Sequence, residues 1–210
     1  MAAPLPDPPA LHDRALQDLR FIRRTMEGAA SFTDVPGWGL VAVGASALAA
    51  APIAARQPTA ERWLAVWMIA AVVGAGVGGW TMLRKMRQRV GTADTPPLSV
   101  PARKFLLGFW PAILAGALLT FALVDPFAPG ITTWIATRVL PGMWLLLYGL
   151  GVTTAGAFSI RAVPLMGIGF IVLSAVALFV PFADGNLMMA LGFGALQIIC
   201  GVRIAQRHGG

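Results

Sequence analysis

The chain has 210 residues, of which 57% are hydrophobic and only 12% are charged. Soluble domains carry roughly 45–50% apolar and about 25% charged residues, so this composition excludes a soluble globular protein, and it excludes disorder as well. The 16 basic and 9 acidic residues give a net charge of +7. In so apolar a chain this excess is explained by membrane topology, and no nucleic-acid partner is expected.

The first 28 residues divide into a proline-rich tail and an amphipathic helix. Residues 1–9 contain four prolines, so we expect a disordered tail without the apolar run that a signal peptide requires. In residues 10–28 apolar side chains recur at helical spacing, but the helix is too polar to span a membrane. We expect it in the cytosol, on the lipid surface or on a partner protein. Its candidate contacts are Leu19, Arg20, Ile22, Arg23, Arg24 and Met26.

Six apolar stretches of 18–21 residues follow within residues 36–206. At a rise of about 1.5 Å per residue each would measure roughly 27–32 Å, which matches a hydrocarbon core of about 30 Å. Backbone groups in lipid must be paired within the segment, so the sequence predicts an all-α bundle of six transmembrane helices. The predicted spans are 38–55, 63–83, 105–124, 140–158, 164–181 and 187–205.

The start of the fourth span is the ambiguous boundary. A start at Ile131 would bury Arg138 in hydrocarbon, at a cost of roughly 2.5–3.5 kcal/mol. A start near Leu140 avoids that cost and places Pro141 in the first turn, where its missing N–H does no harm. We therefore expect residues 131–139 to form a short interfacial segment ahead of the span.

The basic residues divide unevenly between the two sides of the predicted bundle. Thirteen of the 16 lie on the side of the N-terminus, and Arg56, Arg62 and Arg138 lie on the other. Cytoplasmic loops carry the excess of Lys and Arg, so both termini are expected in the cytoplasm.

Patterns typical of catalysis or metal binding are missing from the predicted spans, which contain no Asp, Glu, Lys or His. The two histidines, His12 and His208, stand near opposite ends of the sequence, and the single cysteine, Cys200, has no partner for an intrachain disulfide. No spacing indicates a zinc site, a haem site or a serine hydrolase. We predict no enzymatic activity, no cofactor and no metal.

Four polar residues are candidates for an outer-side or intramembrane site. Tyr148 and Gln197 lie inside spans, where polar side chains usually form hydrogen bonds between helices and where they also suit a ligand pocket. Asp125 and Arg138 lie at the outer ends of spans and form a candidate anion or headgroup site. The basic stretch 83–89 is explained by topology alone, and binding of anionic lipid is its alternative.

Small residues at four-residue spacing, such as Gly74 with Gly78 and Gly151 with Ala155, allow helices to approach closely in lipid. Packing within the bundle and a homo-oligomer face are both open interpretations of this spacing.

Residues 18–39, DLRFIRRTMEGAASFTDVPGWG, resemble the opening of a group of small bacterial inner-membrane proteins. The ending at residues 207–210, Arg-His-Gly-Gly, resembles the C-termini of the same group. The group has no established activity, so the resemblance implies a bacterial inner-membrane location and carries over no catalytic residue.

Three functional hypotheses follow from the sequence. The leading one is a non-enzymatic accessory, scaffold or signal-relaying subunit with a cytoplasmic-side partner, because an amphipathic helix is present and a catalytic constellation is not. The second is a small-solute or lipid transporter, or a membrane sensor of such a ligand. The third, a lipid-directed enzyme, depends only on loop residues such as Asp125, Arg138 and Asp184.

Overall fold

The computed structural model describes residues 16–22, 26, 35–89, 100–124, 135–157, 159–180 and 182–208. Within these residues the chain is all-helical and forms no strand. The long helices are α1 (Gly37–Ala55), α2 (Ala60–Arg89), α3 (Val100–Val124), α4 (Leu140–Gly156) and α5 (Ala162–Phe179). The last helix, α6, runs from Gly185–Met189 through a π-helical stretch, Ala190–Leu196, into Gln197–His208.

Five helical stretches are long and apolar enough to cross a membrane, which indicates a multi-pass membrane protein. They are Gly37–Ala55, Ala60–Lys85, Val100–Val124, Ala162–Phe179 and Gly185–Arg207. The α-helical part of α4 has 17 residues. That corresponds to about 25 Å, slightly less than the hydrocarbon thickness of about 30 Å. Length and composition therefore support five spans, one fewer than the sequence predicts.

The α-helix of α4 begins at Leu140, and the residues just before it are also helical. Ile135–Val139 form a π-helical turn that leads directly into α4, with no break at an interfacial segment. Pro141, in the first turn, has no N–H for the carbonyl of residue 137, which accounts for the wider hydrogen-bonding pattern at this point. Residues 131–134 lie outside the described residues.

Helices α1 and α6 are antiparallel neighbours. The start of α1 meets the end of α6, where a Cβ added at Gly37 would collide with the backbone of Ala205. Further along, a Cβ at Gly44 would lie 2.8 Å from the carbonyl oxygen of Gly194. Helix α1 therefore begins at the face of the bundle where α6 ends, and the backbones of the two helices are in close contact.

Helix α4 is packed between α5 and α3. On one side, a Cβ at Gly149 would lie 2.8 Å from the carbonyl oxygen of Gly167 in α5. On the other, a Cβ at Gly151 would lie 2.8 Å from the Cβ of Ala112 in α3. Glycine is needed at both positions because atoms of the neighbouring helix occupy the space that a side chain there would fill.

Small residues in these interfaces recur every seven positions. A seven-residue repeat keeps one narrow stripe of a helix facing its neighbour, and small side chains let the backbones approach in lipid. The repeat comprises Gly37, Gly44 and Ala51 in α1, Gly142, Gly149 and Gly156 in α4, and Gly194 and Gly201 in α6. The predicted four-residue pair Gly151 and Ala155 also packs inside the chain, against α3.

Helices α2 and α3 lie at the periphery. Gly74 and Gly78 in α2 both face Val43 of α1, so this predicted pair also contributes to packing within the chain. Gly76 and Gly79, on the opposite side of α2, have no atom within 4 Å of an added Cβ.

Candidate functional site

The least satisfied polar side chain among the described residues is Gln197, near the middle of α6. Its residue surface is 1% exposed, and its Nε2 donates to the hydroxyl oxygen of Tyr148 at 3.0 Å. Its Oε1 is buried and has no hydrogen-bond partner among the described residues. Exchanging the amide oxygen and nitrogen would let Tyr148 donate to the oxygen but would leave the nitrogen unpaired. In either orientation one amide atom retains unused hydrogen-bonding capacity.

The Gln197–Tyr148 pair adjoins an aromatic cluster to which four helices contribute. The Tyr148 ring in α4 lies 4.8 Å from Phe170 in α5, 4.9 Å from Phe193 in α6 and 5.6 Å from Phe109 in α3, between centroids. Tilted and edge-on ring pairs at these distances stabilise packing beyond simple burial. The amide therefore stands in an aromatic, uncharged environment at the centre of the bundle.

The backbone changes its hydrogen-bonding pattern immediately before this amide. Gln197 directly follows the π-helical stretch Ala190–Leu196, which contains Gly192 and Gly194. A Cβ at Gly192 would lie 3.1 Å from the ring of Phe170, so this glycine lets the aromatic cluster close around α6. Short π-helical stretches inside α-helices occur frequently at functional sites.

A second polar cluster lies at the N-terminal end of α6 and centres on Asn186, the chain's single asparagine. Its Oδ1 accepts the indole N–H groups of Trp63 at 3.3 Å and Trp67 at 3.0 Å. Its Nδ2 donates to the carbonyl of Ala51 at 3.0 Å, and its backbone N–H donates to the carboxylate of Asp184. Asp184 is thus the N-cap of α6.

Trp144 extends this cluster into α4. Its ring stacks on Trp63 with centroids 6.0 Å apart, and its indole N–H donates to Thr120 Oγ1 at 2.7 Å. The cluster therefore ties α1, α2, α3, α4 and α6 together at one end of the bundle. The Asn186 amide uses both its oxygen and its nitrogen, which is typical of a structural network.

Arg138 occupies a different place from Tyr148 and Gln197. Its guanidinium donates to the carbonyl of Val180, at the C-terminus of α5, at 2.8 Å. This helix-end carbonyl also accepts the backbone N–H of Ala183 at 3.1 Å, and a cation beside it interacts favourably with the helix dipole. Tyr148 lies ten residues further along the same helical segment, about 15 Å away, so the predicted polar residues do not form one site.

The N-terminal segment is described at residues 16–22 and 26, which are helical. Leu19, Ile22 and Met26 are 63%, 52% and 69% exposed, and Arg20 is exposed as well. Residues 1–15, together with the candidates Arg23 and Arg24, lie outside the described residues, as does Asp125. The apolar side chains Leu19, Ile22 and Met26 are therefore largely uncovered by the described part of the chain.

Sequence reasoning found Gln197 and Tyr148 but missed Asn186 and its tryptophans. The available signals were the uniqueness of the asparagine and the i, i+4 spacing of Trp63 and Trp67, which places both indoles on one face of α2. Within the described ranges, no three His, Cys, Asp or Glu side chains are grouped so as to hold a metal ion.

No family model, curated protein or solved structure matches the chain. The resemblance of residues 18–39 to small bacterial inner-membrane proteins therefore stays a prediction.

Proposed function

We propose that the chain is a non-enzymatic integral membrane subunit that recruits a protein partner through its N-terminal amphipathic segment. The observation that carries the proposal is the exposure of Leu19, Ile22 and Met26, each more than half uncovered. Outside the candidate spans, this segment groups more exposed apolar side chains than any other described part of the chain. An amphipathic helix that lays such a face into a groove of another protein is a common recognition mode.

The proposed topology has six spans, with both termini in the cytoplasm of a bacterial inner membrane. The antiparallel contact of Gly37 with Ala205 supports an even number of crossings, because five would place these residues on opposite sides. The sixth crossing is assigned to α4, lengthened at its start by the turn Ile135–Val139. The positive-inside distribution supports the orientation, and the resemblance of residues 18–39 supports the location.

The partner proposal is tested by purifying the full chain in lipid nanodiscs and identifying co-purifying proteins. We expect a stoichiometric partner with the wild type, and at least tenfold less of it with the triple variant Leu19→Ser, Ile22→Ser and Met26→Ser. Burying each of these side chains contributes roughly 1.5–3 kcal/mol, and about 1.4 kcal/mol is tenfold in affinity.

The matched control is Gln17→Ser with Asp18→Ser, which changes polar positions of the same segment and should retain the partner. Retention of every co-purifying protein after deletion of residues 1–28 would contradict the proposal.

A second candidate function, a membrane sensor or transporter of a small ligand, is favoured by the unpaired amide atom of Gln197. A ligand hydroxyl that donates to Oε1 would satisfy it, and the adjoining rings suit an apolar or aromatic ligand body.

The ligand function is tested with the double variant Gln197→Leu and Tyr148→Phe. Because both hydrogen-bonding partners are removed together, we expect its stability to equal or exceed that of the wild type. The wild type alone should be stabilised by fractions of a native lipid extract, by about 2.7 kcal/mol at a ligand concentration one hundred times the Kd. Equal stabilisation of the two proteins in thermal unfolding would exclude a ligand at this amide.

A further inference from the structure

The outward face of α2 carries a row of exposed residues that lie away from the contact between α2 and α1. Gly76, Trp80, Leu83, Arg84 and Arg87 stand at positions i, i+4, i+7, i+8 and i+11, so they share one side of the helix. All five are exposed. The face that packs on α1 is a different one, which carries Gly74 and Gly78.

Two arginines are available at the end of this face. Trp80, Leu83, Arg84 and Arg87 line a surface groove. The neighbouring Lys85 turns away from it, because its Nζ donates to the carbonyl of Val35 at 3.4 Å. The basic residues of this turn are therefore divided between a structural role and a groove-lining role.

The depth of the groove matches the headgroup region of a bilayer. The apolar part of α2 that can cross a membrane ends at Lys85, between Arg84 and Arg87. The guanidinium carbon of Arg84 lies 5.7 Å from the centroid of the Trp80 ring, within the range of a cation–π interaction. Tryptophan is enriched at headgroup level, so this contact holds Arg84 where lipid phosphates lie.

Between the groove and the centre of α2, two glycines leave part of the helix surface without side chains. Gly76 and Gly79 carry no side chain, and no atom lies within 4 Å of a Cβ added at either. Val72 and Val73 continue the exposed apolar face beyond them. This leaves a shallow path from the arginines along the helix, of a shape that admits an extended hydrocarbon chain.

We propose that this face of α2 binds an anionic phospholipid, with its phosphate between Arg84 and Arg87 and an acyl chain over Gly76 and Gly79. Charge complementarity selects the anionic headgroup, because guanidinium groups form charge-assisted, bidentate hydrogen bonds with phosphate oxygens. The uncovered surface at Gly76 and Gly79 favours a ligand with a hydrocarbon tail over a free anion. The site depends only on α2 crossing the membrane and is independent of the partner proposed for the N-terminal segment.

The test is native mass spectrometry of the full chain in detergent with equimolar dioleoyl phosphatidylglycerol and dioleoyl phosphatidylcholine. The wild type should retain phosphatidylglycerol in preference. The variant Arg84→Gln with Arg87→Gln should lose about 25-fold of that preference, since each basic residue near anionic lipid contributes roughly fivefold. The control Arg56→Gln with Arg62→Gln, which changes the C-cap of α1 and the first turn of α2, should retain it.

A second pair of variants tests the proposed contact of the acyl chain with Gly76 and Gly79 without changing the charge of the protein. Gly76→Leu should reduce the retention of phosphatidylglycerol, whereas Ala117→Leu, at an exposed position of α3, should not. Unchanged lipid preference in the double arginine variant would overturn the proposal. So would displacement of the lipid by millimolar inorganic phosphate alone, which would assign the arginines to a free anion. Unaltered thermal unfolding midpoints confirm that each variant is folded.

Discussion

Replacing Asn186 with leucine is expected to lower the free energy of unfolding by about 2–3 kcal/mol. The change removes Asn186 Oδ1, the acceptor of the indole N–H groups of Trp63 and Trp67. Both tryptophans are buried, so each N–H would lose its partner without gaining water. The bond from Asn186 to the Ala51 carbonyl is lost as well. Unfolding in a denaturing detergent titration, followed by circular dichroism, measures the change.

The matched control is Gln57→Leu, which removes an exposed amide that donates to the carbonyl of Ile53, one turn earlier in the same chain segment. Its effect should stay within about 0.5 kcal/mol, as for most surface substitutions. A double-mutant cycle with Trp67→Phe assigns the effect to the hydrogen bond, because deleting the donor should cost less when the acceptor is already absent. Additive effects of the two changes would contradict the network described here.

Replacing Gly167 with leucine is expected to destabilise the bundle by about 3 kcal/mol or more. A Cβ at this position would lie 2.7 Å from the carbonyl oxygen of Gly149 and from the backbone nitrogen of Thr153. Backbone atoms cannot turn aside as a flexible side chain can, so α5 must move away from α4. The movement would also break the hydrogen bond from Ser174 Oγ to the carbonyl of Gly142, which is 2.8 Å long.

Gly76→Leu provides the opposite expectation for the same chemical change. Nothing lies within 4 Å of a Cβ there, and leucine is a better helix former than glycine by nearly 1 kcal/mol. We expect its stability to equal or slightly exceed that of the wild type in the same detergent titration. Similar losses of stability in Gly167→Leu and Gly76→Leu would contradict this expectation. They would mean that the close contact between α4 and α5 is not the reason why leucine destabilises position 167.

Much of the architecture follows from the sequence because hydrophobic length is a local property. Apolar runs near 20 residues require helices in lipid, and each of α1 to α6 overlaps one of the predicted spans. The fourth helix shows the limit of this reasoning. Arg138 and Pro141 indicate where its α-helix begins, but the π-helical turn before it depends on how the backbone accommodates the proline.

The polar sites likewise combine features that the sequence predicts with features that depend on the tertiary structure. Gln197 is recognisable from the sequence as an amide deep in an apolar run, and Tyr148 as the chain's single tyrosine. That these two form a hydrogen bond depends on how α4 and α6 are rotated about their axes. Arg138 and Gln197 looked equally suited to an outer or intramembrane site, yet the Val180 carbonyl holds Arg138 at a helix end.

By itself, the sequence determined the class of the protein, the approximate extent of its apolar helices and the absence of Asp, Glu, Lys and His from the predicted spans. These properties depend on the transfer of each residue into lipid, which is additive along the chain. Only the tertiary structure decided which glycines are buried in interfaces and which, like Gly76, are open. It alone joined Asn186 to Trp63 and Trp67, because such contacts depend on the relative rotation and register of helices distant in sequence.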